Sequence, residues 1–554
     1  MERKNWKDLG LLTLTLGLLF FSFLGNRPLS SPDEGRYVEI PREMAQTGEW
    51  MTPHLNGLKY FEKPPLVYWV EAATISLSGV NEYFLRLPIA FFALLGCLAV
   101  YAFSCRFYSR KTGIWSAIVL ATSLLYFSLS RIIILDMVLT VLISSALFSL
   151  LAGLKTPLSK SPSRRMFIYL AAGLFALALL CKGLISIALP GLVVLVWMAL
   201  SQSLDKIKPL YLPTSITIFL AIALPWHVWM IWENPSFFDF YFIHEHFERY
   251  FTTVHRRYQP FWFFIPVVIL GFFPWIGFIP KALKDFFPLK LKQLKTYDVE
   301  LFLVLWIALF FMVFSFSQSS LIPYMLPIFP PLAVIVGRYL SYVWKNSLSL
   351  RSEGIFYSLF VFALAGAAYY ASENGLIDTA LFQETQLAQN ILIGTGVLVL
   401  GLSFLKNVRP MIIALVAGQV LFLFALNDVA YLLQRPSTKP LAEKIKSLYG
   451  DSAQVVSYGR YYQDLPPYLN QTVKIVSWSG ELDFGKNLEP NNTVFMTPED
   501  LATLWAGPAP VCVVTPRSRV AELQNSLVPE PQEIASVESS IYPDATVLIC
   551  SNQQ

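Results

Sequence analysis

Few of the 554 residues are charged, so the charged groups that interrupt apolar sequence are where chemistry is to be sought. A charge at membrane depth is costly and marks a functional candidate by default. Asp33-Glu34-Gly35-Arg36-Tyr37 could bring a carboxylate and a guanidinium to one substrate phosphate. The plain alternative is a solvated helix start whose acids favour the N-terminal dipole. In Tyr60-Phe61-Glu62-Lys63-Pro64-Pro65-Leu66 the two prolines impose extended or turn geometry just after Lys63. That fixes a carboxylate and an ammonium between membrane-seeking aromatics, although a mere surface Glu-Lys pair is the competing reading. Arg131 and Asp136 flank an apolar run at a spacing that puts them on different helical faces, so each is expected to find its partner elsewhere. Lys182, between Cys181 and Gly183, could simply snorkel, yet a lysine on this side opposes the chain's charge bias and suits anion binding.

Four of the five histidines lie between His227 and His255, three of them in the aromatic loop 233–260. Within it, His244-Glu245-His246-Phe247-Glu248-Arg249-Tyr250 offers imidazole and carboxylate donors for a divalent cation, with His244 and Glu248 on one helical face. No recognised zinc spacing is present, and His246 could be a structural neighbour. Tyr324, after Ser319-Ser320-Leu321-Ile322-Pro323, could hydrogen-bond a phosphate or act as an ordinary interfacial tyrosine. Arg36, Lys63, Lys182 and Arg249 together suit a phosphorylated lipid at a bilayer surface, because Arg and Lys hold phosphate by charge-assisted hydrogen bonds.

The elements that must position these groups are membrane helices. With 55% hydrophobic, 15% aromatic and 14% charged residues, the chain lacks the polar material to cover a globular surface of its size. Thirteen apolar runs near the roughly 20 residues that span a hydrocarbon core are read at 9–25, 82–105, 112–130, 132–153, 165–181, 183–201, 212–232, 261–280, 300–317, 321–340, 355–372, 388–405 and 409–427. The first is expected to be a signal anchor, because no small-residue cleavage site follows it. A cytoplasmic N-terminus gathers 22 of the 42 Lys and Arg residues on the inner side and leaves the tail outside. The fold class expected is a multi-pass α-helical membrane protein of about 13 transmembrane helices with a small C-terminal periplasmic α/β domain. Its boundaries are 1–430 for the membrane part, with periplasmic interfacial helices in 26–81, and 431–554 for the outer domain. Ser31-Pro32-Asp33-Glu34 is a plausible capped helix start, and Gly48 lies near that helix's end. Cys512 and Cys550 fall in strand-like runs on the oxidising side, where a disulfide is open to them. The tail carries no phosphate-binding glycine fingerprint, and no fixed-period repeat supports a transporter of symmetric halves.

On the combination of Ser31-Pro32-Asp33-Glu34-Gly35-Arg36-Tyr37 with Phe61-Glu62-Lys63-Pro64-Pro65-Leu66, the chain resembles the bacterial 4-amino-4-deoxy-L-arabinose transferases that modify lipid A. These belong to the C-type glycosyltransferase superfamily with the protein O-mannosyltransferases. The likeness extends over essentially the whole chain and agrees with Asp136, His244 to Arg249 and Pro323-Tyr324. It implies Asp33 as the catalytic carboxylate and Asp136 as a further acidic site residue. It also implies a polyprenyl-phosphate group of Tyr60, Lys63, Arg249 and Tyr324 with Arg36 nearby, and Glu62 and His244 as ligands of a divalent metal, zinc by the family's habit. One departure stands out: the family often has a basic residue just before the Leu-x-Pro-Tyr-like segment, where this chain has Ser319 and Ser320.

The expected reaction moves a sugar from undecaprenyl phosphate to a lipid acceptor, lipid A phosphate by resemblance, at the periplasmic face of the bacterial inner membrane. The working form is taken as a monomer, with no nucleic-acid partner. A protein acceptor is the same-class alternative. A lipid-phosphate transporter is the rival class, disfavoured because the spans are mostly clean and the charges gather outside.

Overall fold

The computed structural model describes residues 3–202, 210–248, 258–286, 294, 296–539, 542 and 544–551. Among these, eight helices are long and apolar enough to cross a membrane: Glu82–Phe107, Leu135–Leu154, Ser161–Lys182, Leu212–Glu233, Asp298–Ser315, Ile322–Asn346, Arg351–Glu373 and Arg409–Val429. A ninth crossing would come from Phe264–Gly271 with Trp275–Asp285, which meet at 97°. Pro274 sits at that corner, where its ring and missing N–H stop the first helix, so the run expected at 261–280 is not one straight span. The run at 112–130 likewise divides into Arg110–Ala121 and Leu124–Leu129. The expected runs at 9–25, 183–201 and 388–405 are the helices Arg3–Phe21, Ile185–Leu200 and Gln386–Leu402, which are shorter or more polar than a self-sufficient span. Leu135–Leu154, with most of its residues buried, is the axle of the bundle.

Residues 26–81 differ from the expected layer of interfacial helices. The helix Asp33–Thr47 buries Glu34, Glu39, Arg42 and Glu43 as well as Val38, Ile40 and Met44, so it has no broad solvent face. It starts at Asp33 and stops at a left-handed Gly48, but no side chain caps its first turn. A two-residue hairpin, His54–Leu55 with Leu58–Lys59, turns through Asn56 and Gly57, whose positive φ values of 54° and 80° suit an Asn-Gly turn. The helix Leu66–Ser78 follows, opening directly after Pro64 and Pro65.

The tail builds a six-stranded sheet in the order Phe495–Met496, Lys474–Val476, Gln454–Tyr458, Val511–Pro516, Thr546–Cys550, Glu533–Val537. The first four strands are parallel and the last two antiparallel. Cys512 faces Cys550 in register, and the two are disulfide-bonded. One face of the sheet does not stand apart from the membrane part. Ile40, Met44, Leu55, Leu58, Tyr60, Tyr68 and Ala72 share a single buried cluster with Val455, Tyr461, Leu465, Ile475, Val514 and Leu548. Asn56 behaves as an extra pairing unit there, donating to the Val473 carbonyl at 2.8 Å and accepting from its N–H at 2.9 Å.

Candidate functional site

The hairpin fixes where the second motif goes. Tyr60 donates its N–H to the Pro53 carbonyl at 2.9 Å, and the Phe61 ring inserts between Phe237 and Phe484 at 5.5 and 5.7 Å between centroids. With Phe61 anchored, Glu62 and Lys63 reach a cavity of about 130 Å³. Its polar wall is Glu62, Lys63, Asp136, Lys182, Glu245, Ser317, Ser319 and Tyr324, and its apolar wall includes Leu139, Ile143, Ile185, Leu189, Phe310 and Phe314. Five sequence-predicted residues, Glu62, Lys63, Asp136, Lys182 and Tyr324, thus converge from four separate elements.

Each cation in the cavity wall faces a carboxylate. The Lys63 ammonium donates to Glu245 Oε2 at 2.9 Å and to its neighbour's carbonyl, Glu62 O, at 2.8 Å. Lys182 Nζ lies 2.5 Å from Asp136 Oδ1 and 4.8 Å from the centre of the Tyr324 ring. The ring's negative face attracts the ammonium. The cation beside Tyr324 is therefore Lys182, which comes from another helix than the one preceded by Ser319 and Ser320. Asp136 finds its partner in Lys182, and Arg131 finds its own in Asn427 Oδ1 at 2.8 Å and in carbonyls at the end of the first helix.

Asp33, Arg36 and Tyr60 do not line this cavity; they form an adjoining group. Arg36 Nη2 donates to Asp33 Oδ1 at 2.9 Å, and its Nη1 donates to Tyr60 Oη at 3.2 Å and to Glu481 Oε2 at 2.6 Å. Glu481 also accepts from Gln463 Nε2 at 2.7 Å. Burial works against the Arg36 charge, but Tyr60, Glu481, Tyr37 and Glu62 outweigh it and hold the guanidinium charged. Asp33 keeps 60% of its side chain exposed, so an incoming group can reach it. Glu34, its neighbour, is fully buried. Burial alone would raise the Glu34 pKa, yet Arg27 at 2.8 Å and Arg86 at 2.9 Å hold it well below the usual carboxylate range.

His244 stands in the π-helical stretch Asp239–Glu248, its ring stacked on Phe240 at 5.2 Å between centroids and its Nδ1 4.0 Å from Glu245 Oε1. Arg249 lies outside the described residues. Among the described residues no three His, Cys, Asp or Glu side chains gather closely enough to hold a metal ion. Glu62 and His244 alone do not make a zinc-type ligand set. Glu245 and Glu481 were not singled out as site residues from the sequence. Their partners are 182 and 445 positions away, and only the fold joins them. Arg86 left a signal that could have been used: a guanidinium inside the span read at 82–105.

The comparisons with known proteins cover both halves of the chain. Residues 30–241 match the family model "Dolichyl-phosphate-mannose-protein mannosyltransferase", and residues 441–541 match "Aminoarabinose transferase C-terminal domain". The undecaprenyl phosphate-alpha-4-amino-4-deoxy-L-arabinose arabinosyl transferase 1 of Proteus mirabilis is 36% identical over 341 residues, 61% of this chain and 60% of that protein. The corresponding transferase of Erwinia tasmaniensis is 28% identical over 427 residues, 74% of this chain and 76% of that protein. The chain thus spans 60% of the length of the Proteus relative in the matched region. The crystal structure of ArnT from Cupriavidus metallidurans bound to undecaprenyl phosphate superposes with a TM-score of 0.83 at 26% identity, covering 100% of this chain and 99% of that one. The membrane half, the tail and the whole fold of the chain are thus each similar to 4-amino-4-deoxy-L-arabinose transferases.

Proposed function

We propose that the chain is a glycosyltransferase that moves 4-amino-4-deoxy-L-arabinose from undecaprenyl phosphate to a lipid A phosphate at the periplasmic face of the inner membrane. The observation that carries this reading is the cavity walled by Lys63 and Lys182 together with apolar side chains. Its walls of Leu, Ile and Phe suit a prenyl chain, and its ammonium groups suit the phosphate. The solved relative that superposes over the full chain binds undecaprenyl phosphate.

In the proposed reaction a lipid A phosphate oxygen attacks the anomeric carbon as the bond from that carbon to the donor phosphate breaks. The electron pair leaves on undecaprenyl phosphate. Charge developing on the leaving oxygen is met by Lys63, with Lys182 and Tyr324 across the cavity and Arg249 as a further cation by family resemblance. The acceptor is already an anion, so no general base is required. Asp33, exposed and oriented by Arg36, holds the sugar ammonium or the acceptor in place, and Tyr60 fixes Arg36. Asp136 holds the Lys182 side chain beside Tyr324.

The reading includes thirteen crossings, a cytoplasmic N-terminus, a periplasmic α/β tail and a monomeric working form. No step is assigned to a metal. Zinc at Glu62 and His244 would need oxygens from the donor phosphate to complete its shell, which zinc titration with and without undecaprenyl phosphate tests. The deciding experiment incubates purified protein in detergent with labelled undecaprenyl phosphate-aminoarabinose and lipid A. Label should enter lipid A with the wild type and fail to do so with Lys63→Ala. Label entering protein would give the O-mannosyltransferase-like alternative, which the match over residues 30–241 favours. No transfer without transbilayer movement would leave the transporter reading.

A further inference from the structure

In the structure the Lys63 cation in the cavity wall is not waiting bare for a phosphate. Lys63 is held by Glu245, 182 residues away, at 2.9 Å, and the Glu245 side chain is only 3% exposed. Glu245 lies in the π-helical stretch Asp239–Glu248, and such wide turns are uncommon and recur at functional sites. The same stretch is pinned to the second motif by apolar contacts, since its Tyr241, together with Phe237 just before it, shares a buried cluster with Phe61. The carboxylate and the motif are thereby kept in register. Lys182 repeats the arrangement with Asp136 at 2.5 Å. Lys182 also rests against the Tyr324 ring.

We propose that Glu245 is a built-in competitor for Lys63 that speeds release of the polyprenyl phosphate product. The proposal rests on the donor assigned above. A sugar-linked phosphodiester carries one negative charge, but once the sugar has left, the phosphate is a monoester carrying about 1.5 to 2 charges at pH 7. A site that simply matched positive charge to phosphate would hold its product more tightly than its substrate. A carboxylate close enough to reclaim the ammonium offsets this excess. It lends Lys63 to the phosphate during transfer and takes it back afterwards. In this scheme Glu245 is a positioning residue that acts through Lys63.

The variant Glu245→Gln keeps the shape and removes the charge. Bound undecaprenyl phosphate is then expected to dissociate more slowly, with its Kd lowered about tenfold, the scale of one close charge pair. KM for the donor should fall, kcat should fall with it, and inhibition by added undecaprenyl phosphate should strengthen. Glu245→Asp should restore wild-type product inhibition in part. In the Lys63→Met background, Glu245→Gln should no longer change undecaprenyl phosphate binding, because the group it competes for has gone. A thermal melt in detergent identifies any variant that has failed to fold, and the Asp variant then carries the test. Weaker or unchanged product binding in a folded Glu245→Gln protein overturns the inference. Failure of the wild type to bind undecaprenyl phosphate at all would instead overturn the donor assignment.

Discussion

Two clusters of carboxylates and cations sit within the same outer layer, and they are built to opposite ends. Around Glu34 one carboxylate is gripped by two guanidinium groups, by Ser30 N at 3.0 Å and by Ile133 N at 3.2 Å, and all of it is buried. Around the cavity, Lys63 and Lys182 each face a carboxylate at the wall of an open space. The same residue types therefore make a structural knot in one place and a site in the other. Access and spare bonding capacity separate the two, since a carboxylate with every lone pair occupied has nothing to offer a substrate. Asp33 and Glu34, adjacent in sequence, fall on opposite sides of that line.

The largest expected effect would come from breaking the knot. Glu34→Ala leaves Arg27 and Arg86 buried around a missing anion, and stability should drop by about 3–5 kcal/mol, read as a lost or strongly lowered melting transition in detergent. Activity and stability fall together in that case. Lys63→Ala should do the reverse, cutting transfer by about 10²–10³-fold while the melting temperature stays within a few degrees. If both variants lose stability alike, the contrast between the clusters is wrong. A third test uses pH. Asp464, beneath the first motif, is raised from 3.8 to about 6 by burial, against the opposing bonds from Thr438 N and Ser437 Oγ. Its folded form holds a proton that the unfolded chain has released. Stability from this group is therefore full below pH 3.8 and declines as pH rises towards 6, by about 3 kcal/mol in all. Asp464→Asn should flatten that part of the stability profile, and an unchanged slope would refute the assignment. The smallest effect is expected at Gly35, where an added Cβ would lie 2.4 Å from Asp464 N and 2.5 Å from Gln463 C. Gly35→Ala should cost about 1–3 kcal/mol and raise KM as the Asp33 to Arg36 turn shifts, measured by melting and by steady-state kinetics.

Much of the site could be read before the fold was known, because its chemistry is concentrated in short motifs. Tyr60, Glu62 and Lys63 lie on one run stiffened by prolines, and a run of that kind keeps its meaning in any fold. What the motifs do not contain is the identity of their partners. Glu245 was visible as part of an aromatic, charge-rich loop, but nothing local distinguishes it from Glu248 as the partner of Lys63. Glu481 lies in a short 3-10 helix of the tail, Gly480–Leu482. The role of Glu34 stayed open for the same reason: the solvated alternative fails because Arg27 and Arg86 reach it from outside the motif. In the membrane part hydropathy placed the helical segments well. It could not see the corner at Pro274, because a span average is blind to one proline among apolar neighbours.

The cluster that joins Ile40, Leu55, Tyr60 and Tyr68 to Val455, Ile475 and Leu548 gives the outer sheet a second identity. It is half of a core whose other half is the segment that carries both motifs. The tail is therefore not an interchangeable module. Grafting the sheet of one relative onto the membrane part of another would pair two unmatched halves, so a working chimera must exchange residues 26–81 together with the tail. Substitutions in these distant stretches are correspondingly expected to accumulate in concert during divergence.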